Sequence, residues 1–134
     1  MLRVRVETPC RTTEDPAKVR AALLRLFPDL VLEHEDDRIV GTSASLEKLR
    51  ELIRNQRIRD TARGQLLAGR QGDRTRVLLS KQAAAMGVVN FAAGSPLGDV
   101  AVEIESDDLT AAIDYVAEST VERAVRPSGR SEGT

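Results

Sequence analysis

Two stretches near the ends of the chain alternate with period two, and they limit the possible folds more than any other feature. Leu2, Val4 and Val6 interleave with Arg3, Arg5 and Glu7; Val100, Val102 and Ile104 interleave with Ala101, Glu103 and Glu105. Such alternation marks strands with one face in a core and the other in water. Between them the pattern changes to helical. Thr12-Thr13-Glu14-Asp15-Pro16 reads as a helix start, with capping side chains and Pro in the first turn. Val19, Leu23, Leu26 and Phe27 share one face of the predicted helix, which ends at Pro28. Leu30 to Glu33 and Arg38 to Gly41 predict a hairpin turning at Glu35-Asp36-Asp37.

Leu46, Leu49, Leu52 and Ile53 give the next helix its apolar stripe, and Ile58, Ala62, Leu66 and Leu67 continue the spacing. One straight helix there would be long, so a break is expected between Asn55 and Asp60. Gly69 and Gly72 bracket a turn before a strand from Arg74 to Ser80. Lys81 to Met86 predicts a short Ala-rich helical turn closed by Gly87. Val88 to Phe91 predicts a brief extended piece, and Gly94 to Gly98 a loop. Ser106-Asp107-Asp108 then caps a last helix carrying Leu109, Ala112, Ile113 and Val116.

This order predicts a single α+β domain over residues 1–120, a two-layer sandwich with helices on one face of a mainly antiparallel sheet. Residues 121–134, rich in Gly, Ser and charge, predict a disordered tail. The 134-residue length suits one domain. Phe27, Phe91 and Tyr115 are the only aromatics, so Leu, Ile, Val and Ala must build the core. That poverty also argues against a nucleic-acid surface made of many stacked bases.

Chemistry has few footholds. Cys10 is the single cysteine, which excludes an intramolecular disulfide and fits a reducing, cytoplasmic setting. The start Met1-Leu2-Arg3-Val4-Arg5-Val6 puts charge where a signal peptide needs an apolar run, and no stretch approaches a membrane span. His34, the sole histidine, sits among Glu33, Glu35, Asp36 and Asp37, which read as a solvated turn and not a metal site. Cys10 has no local acid-base partner and reads as a quiet buried thiol. Glu103, Glu105, Asp107 and Asp108 are explained by outward strand positions and capping, and the glycines match no phosphate-loop spacing. The expectation is therefore no catalytic residue, metal or cofactor: a binding protein and not an enzyme.

The charge distribution is more informative than its total. Eight cations and two acids between Arg54 and Lys81 leave that stretch at +6, while the whole chain is −1, so the remainder carries −7. Arg57, Arg59, Arg63, Arg70, Arg74, Arg76 and Lys81 are candidate phosphate contacts, since several arginines on one face hold a nucleic-acid backbone. The bland alternative is a solvated helix whose arginines pair with nearby acids. Small residues around Lys81, Gln82 and Asn90 allow close backbone approach, which suits either a phosphate or ribose contact, with Gln82 and Asn90 adding directional hydrogen bonds, or plain packing.

At these strings the chain resembles an uncharacterised protein family of archaea labelled RNA-binding or exosome-associated. The resemblance rests on Thr13-Glu14-Asp15-Pro16, Gln56-Arg57-Ile58, Asp60-Thr61-Ala62-Arg63, Lys81-Gln82-Ala83-Ala84, Val89-Asn90-Phe91 after Gly87, and Pro96-Leu97-Gly98, spanning roughly residues 2 to 117. It implies a fold similar to the large-subunit ribosomal protein L-five and RNA as partner, and the poverty in aromatics favours structured or double-stranded RNA read by shape. Arg59 departs from the family pattern, which has an apolar residue there. Relatives associated with nucleotide-kinase-like proteins imply a second reading, a non-catalytic accessory subunit docking on another protein such as an exosome-like complex. A third, an enzyme acting on a nucleotide through Lys81, Gln82 and Asn90, would need a concave pocket around them. Exposed sheet edges leave a homodimer open as well.

Overall fold

In the computed structural model, which describes residues 1–91 and 99–119, the two alternating stretches become the centre of the molecule. Strand β1 (Leu2–Pro9) lies antiparallel between β3 (Arg38–Ser43) and β6 (Asp99–Ser106). The full sheet has six strands, β2 (Val31–Glu35), β3, β1, β6, β5 (Arg74–Ser80) and β4 (Arg70–Gln71) in that order, each antiparallel to its neighbours. The predicted α+β sandwich is the fold the chain adopts.

One sheet face supplies the core. Val4 and Val6 of β1, Val77 and Leu79 of β5, and Val100, Val102 and Ile104 of β6 are all buried. Helices α1 (Pro16–Leu26), α2 (Glu47–Gln56), α3 (Arg59–Ala68), α4 (Lys81–Ala85) and α5 (Leu109–Val116) close over it with their own apolar stripes. The opposite face keeps the charged half of each alternation.

Local chemistry explains the ends. Asp15 caps α1 by accepting from the Ala17 N–H at 3.0 Å, with Pro16 next in the first turn, and Asp108 caps α5 by accepting from the Ala111 N–H at 3.1 Å. The β2–β3 hairpin turns at Asp36 and Asp37, as expected. The break between α2 and α3 falls at Arg57. There the Ile58 N–H donates to Ile53 O and the Arg57 N–H to Arg54 O, with Arg57 left-handed at φ 59°. This is a Schellman turn with arginine where glycine is usual.

Two expectations need adjusting. The segment between Gly69 and Gly72 is not only a turn: Arg70–Gln71 pairs with Arg74 and Thr75 as β4, a strand too short to show a period. Gly69 is required there because a Cβ would run into the Arg76 carbonyl. Val88 to Asn90 is not extended strand; only Phe91 bridges to Leu79. The predicted loop at Gly94–Gly98, the Pro96-Leu97-Gly98 string and the predicted tail at 121–134 lie outside the described residues.

Candidate nucleic-acid interface

The nine residues nominated from sequence are distributed over three places. Arg57, Arg59 and Arg63 belong to the α2–α3 junction and α3. Arg70, Arg74 and Arg76 belong to the β4–β5 hairpin. Lys81 and Gln82 open α4, and Asn90 follows it. The +6 stretch is one block in sequence and three regions in space.

Around α4 the cation points inward. Lys81 is 8% exposed, and its ammonium donates to Pro9 O at 2.7 Å and to the Glu14 carboxylate at 2.9 Å. The Arg11 backbone N–H, and then Lys81, hold the Glu14 carboxyl below the usual carboxylate range. Lys81 thus ties α4 to the β1–α1 connection. A cation held by two internal acceptors is not presented to solvent, which sets Lys81 apart from the exposed arginines. Gln82 is exposed and lines a groove of about 250 Å³ with Val19 and Ala22 of α1. Asn90 is exposed, and its backbone carbonyl accepts from the Ser80 N–H at 2.7 Å.

On the open sheet face, strand register sets arginine against glutamate. Arg3 and Arg74 both flank Glu105, and Arg5 and Arg76 both flank Glu103. Arg3 meets Glu105 at 2.9 Å, Arg38 meets Glu7 at 2.6 Å and Glu35 at 3.2 Å, Arg5 meets Glu7 at 2.8 Å, and Arg74 meets Glu103 at 3.7 Å. Partial burial raises the Glu7 carboxyl, but hydrogen bonds from Arg5 and Arg38 outweigh it and leave the group low. The Arg3 hydrogen bond lowers Glu105 in the same way. At the hairpin edge Arg70 turns to Gly72 O and the Thr110 hydroxyl.

The α2–α3 junction is different. Arg54, Arg57, Ile58, Arg59, Asp60 and Thr61 line a cavity of about 600 Å³. Arg54 and Arg57 are exposed and make no ion pair among the described residues. Arg59 meets Glu118 at 2.9 Å, and Arg63 meets Asp114 at 2.6 Å and Ala117 O at 3.2 Å. Helix α3 starts at this cavity with Ile58 as cap residue and no side-chain cap, and Asp60 in its first turn offsets part of the positive helix end that faces the cavity. Gln56 braces the junction from behind: its amide donates to Val89 O and accepts from the Val89 N–H, both at 2.8 Å.

Sequence reasoning placed Arg54 in the basic stretch but did not select it, although its spacing of three from Arg57 was a usable signal. Gln56, part of a string that carries the family resemblance, is a two-way backbone clamp. Among the described residues no group of His, Cys, Asp and Glu could hold a metal, and no helix is long and apolar enough to cross a membrane.

A family model described as RNA binding matches residues 3–106. A UPF0201 protein of Methanothermobacter thermautotrophicus is 47% identical over 121 residues, covering 87% of this chain and 92% of its own length. A UPF0200/UPF0201 protein of Archaeoglobus fulgidus is 35% identical, but the match covers only 38% of that longer chain. The crystal structure of the Methanococcus jannaschii UPF0201 protein superposes with a TM-score of 0.83 at 35% identity, covering 88% of this chain and 94% of that one. Sequence, fold and length agree, and the chain belongs to the UPF0201 family.

Proposed function

We propose that this protein is a non-catalytic RNA-binding protein whose backbone contact is the arginine cavity at the α2–α3 junction. The observation that carries the reading is the convergence of Arg54 and Arg57, two cations without an acidic partner among the described residues, with Arg59 and the uncapped start of α3 on one concave site. Phosphate oxygens suit such a site on two counts: the guanidinium fork takes them in pairs, and a helix N-terminus favours an anion. The RNA-binding description of the matching family supports the same partner. Arg63, Arg70, Arg74 and Arg76 extend the contact at lower strength, because each already has internal acceptors or stands beside a glutamate. A cytoplasmic setting, a link to RNA processing and a likeness to ribosomal protein L-five belong to this proposal.

The test is a salt titration of RNA binding. Affinity falls steeply as salt rises, and Arg54→Ala with Arg57→Gly lowers the slope of log affinity against log salt by roughly 1.4 to 1.8. An unchanged slope in the double variant would remove the cavity from the binding surface.

A second reading, an accessory subunit for a partner protein, is favoured by the Archaeoglobus relative, in which a UPF0201 sequence is joined to a UPF0200 sequence in one chain. Binding to such a partner that is insensitive to salt would distinguish it from the RNA reading.

A further inference from the structure

Tyr115 is the only tyrosine in a chain without tryptophan, and it lies at the end of α5 beside the basic junction. Aromatic side chains are rare here and the two phenylalanines are taken up by the core, Phe27 fully and Phe91 in part. Tyr115 instead is 44% exposed. The Arg50 guanidinium lies 4.9 Å from its ring centroid, and the Arg50 Nε donates to the Tyr115 carbonyl at 2.9 Å. The guanidinium is thus held at two points and lies over the ring as a flat cation.

This pair is joined to the arginine cavity from both sides. Arg54 lies one turn beyond Arg50 on the same face of α2, about 6 Å along the axis, and it lines the cavity. Glu118, three residues beyond Tyr115, holds Arg59, which lines the same cavity. The ring–guanidinium pair and the cavity arginines therefore lie along one seam, where α5 packs against α2 and α3, with Arg50 and Arg54 one helical turn apart.

We propose that this seam is a stacking site for single-stranded RNA: an unpaired base lies against the Tyr115–Arg50 pair while its neighbouring phosphate enters the arginine cavity. The proposal rests on the RNA reading above and narrows it. A base inside a duplex is already stacked and paired on both sides, so it cannot reach a side-chain platform. The site accordingly takes single strands, loops or ends in preference to the duplex that low aromatic content alone suggested. Stacking tolerates any base, so the preference is for strandedness and not for sequence.

Because Tyr115 is alone, the ultraviolet emission of the protein reports this one ring. The experiment titrates it, with correction for nucleotide absorbance, using a short oligoadenylate, an RNA duplex of equal length and an inorganic polyphosphate. Oligoadenylate should quench the emission and bind about 5- to 100-fold more tightly than the duplex. Polyphosphate should bind through the arginines without stacking-type quenching. Tyr115→Leu and Tyr115→Phe lack the emitting ring and are titrated by isothermal calorimetry: Tyr115→Leu should bring oligoadenylate affinity down to the duplex level and leave duplex and polyphosphate binding unchanged, which excludes general unfolding, while Tyr115→Phe should keep the preference. Duplex binding as tight as single strand, or full oligoadenylate affinity in Tyr115→Leu, would overturn the stacking site while leaving the RNA reading standing on the Arg54 and Arg57 dependence. No binding of any probe at low salt would overturn both.

Discussion

The open sheet face and the α2–α3 junction are both rich in arginine, yet they present opposite surfaces to an anion. On the sheet, Arg3, Arg5, Arg38 and Arg74 each lie within 4 Å of a glutamate carboxylate, because the outward residues of β1, β3, β5 and β6 stand side by side across the antiparallel register or, for Arg5 and Glu7, two apart on one strand. At the junction, a left-handed turn gathers Arg54 and Arg57 at the start of a helix, exposed and without an ion pair among the described residues, although Asp60 lines the same cavity. The count of arginines does not make a surface electropositive; the neighbours that folding assigns to them do. A cross-strand pair in water contributes little to stability, but it cancels the field an incoming phosphate would feel.

That contrast can be broken by removing the sheet's acids. Glu103→Gln with Glu105→Gln leaves Arg3, Arg5, Arg74 and Arg76 without partners on those two positions, and the sheet should then bind RNA as a second, salt-sensitive site, raising total low-salt affinity by roughly 10-fold. An unchanged binding isotherm would show that pairing is not what silences the sheet.

The junction can be sharpened at its strained residue. Arg57 sits at φ 59°, where a side chain is disfavoured and glycine is at ease. Arg57→Gly should therefore raise unfolding free energy by up to about 1 kcal/mol while weakening RNA binding. Chemical denaturation and a binding assay on the same preparation check both signs. A variant that is more stable and equally tight would show that arginine at this turn serves neither fold nor RNA.

A smaller effect is expected where the junction is partly neutralised. Glu118→Gln releases Arg59 from its 2.9 Å pair and should tighten RNA binding by about threefold at low salt. Weaker binding would mean that Glu118 positions Arg59 instead of competing with the phosphate.

The least localised test is acid. Glu7, Glu14 and Glu105 are held below their ordinary range by Arg5 and Arg38, by the Arg11 N–H and Lys81, and by Arg3 respectively. Their folded pKa values lie under the unfolded ones, so their contribution to stability is complete above the ordinary carboxylate pKa of about 4.3 and is lost as pH falls through the folded values. Thermal midpoints should decline below about pH 4. Glu14→Gln should flatten part of that decline, while the junction arginines should not affect it.

Much of the architecture was legible because burial leaves a periodic trace. The alternation in Leu2–Glu7 and Val100–Glu105, the break near Arg57 and the caps at Asp15 and Asp108 are local consequences of pattern and hydrogen-bonding chemistry, and each stands where the residues placed it. β4 was hidden because two residues carry no period.

The candidate site was only half legible. Composition and order determined that arginine would be concentrated between residues 54 and 76 and that aromatics would be scarce. Whether those arginines would act together was decided in three dimensions. Register turned one group toward glutamates, burial turned Lys81 onto Pro9 and Glu14, and the packing of α5 against α2 set Tyr115 under Arg50. Charge in a sequence is a property of each residue, but its effect depends on distances of a few ångströms to residues up to a hundred positions away, and only the tertiary structure sets those.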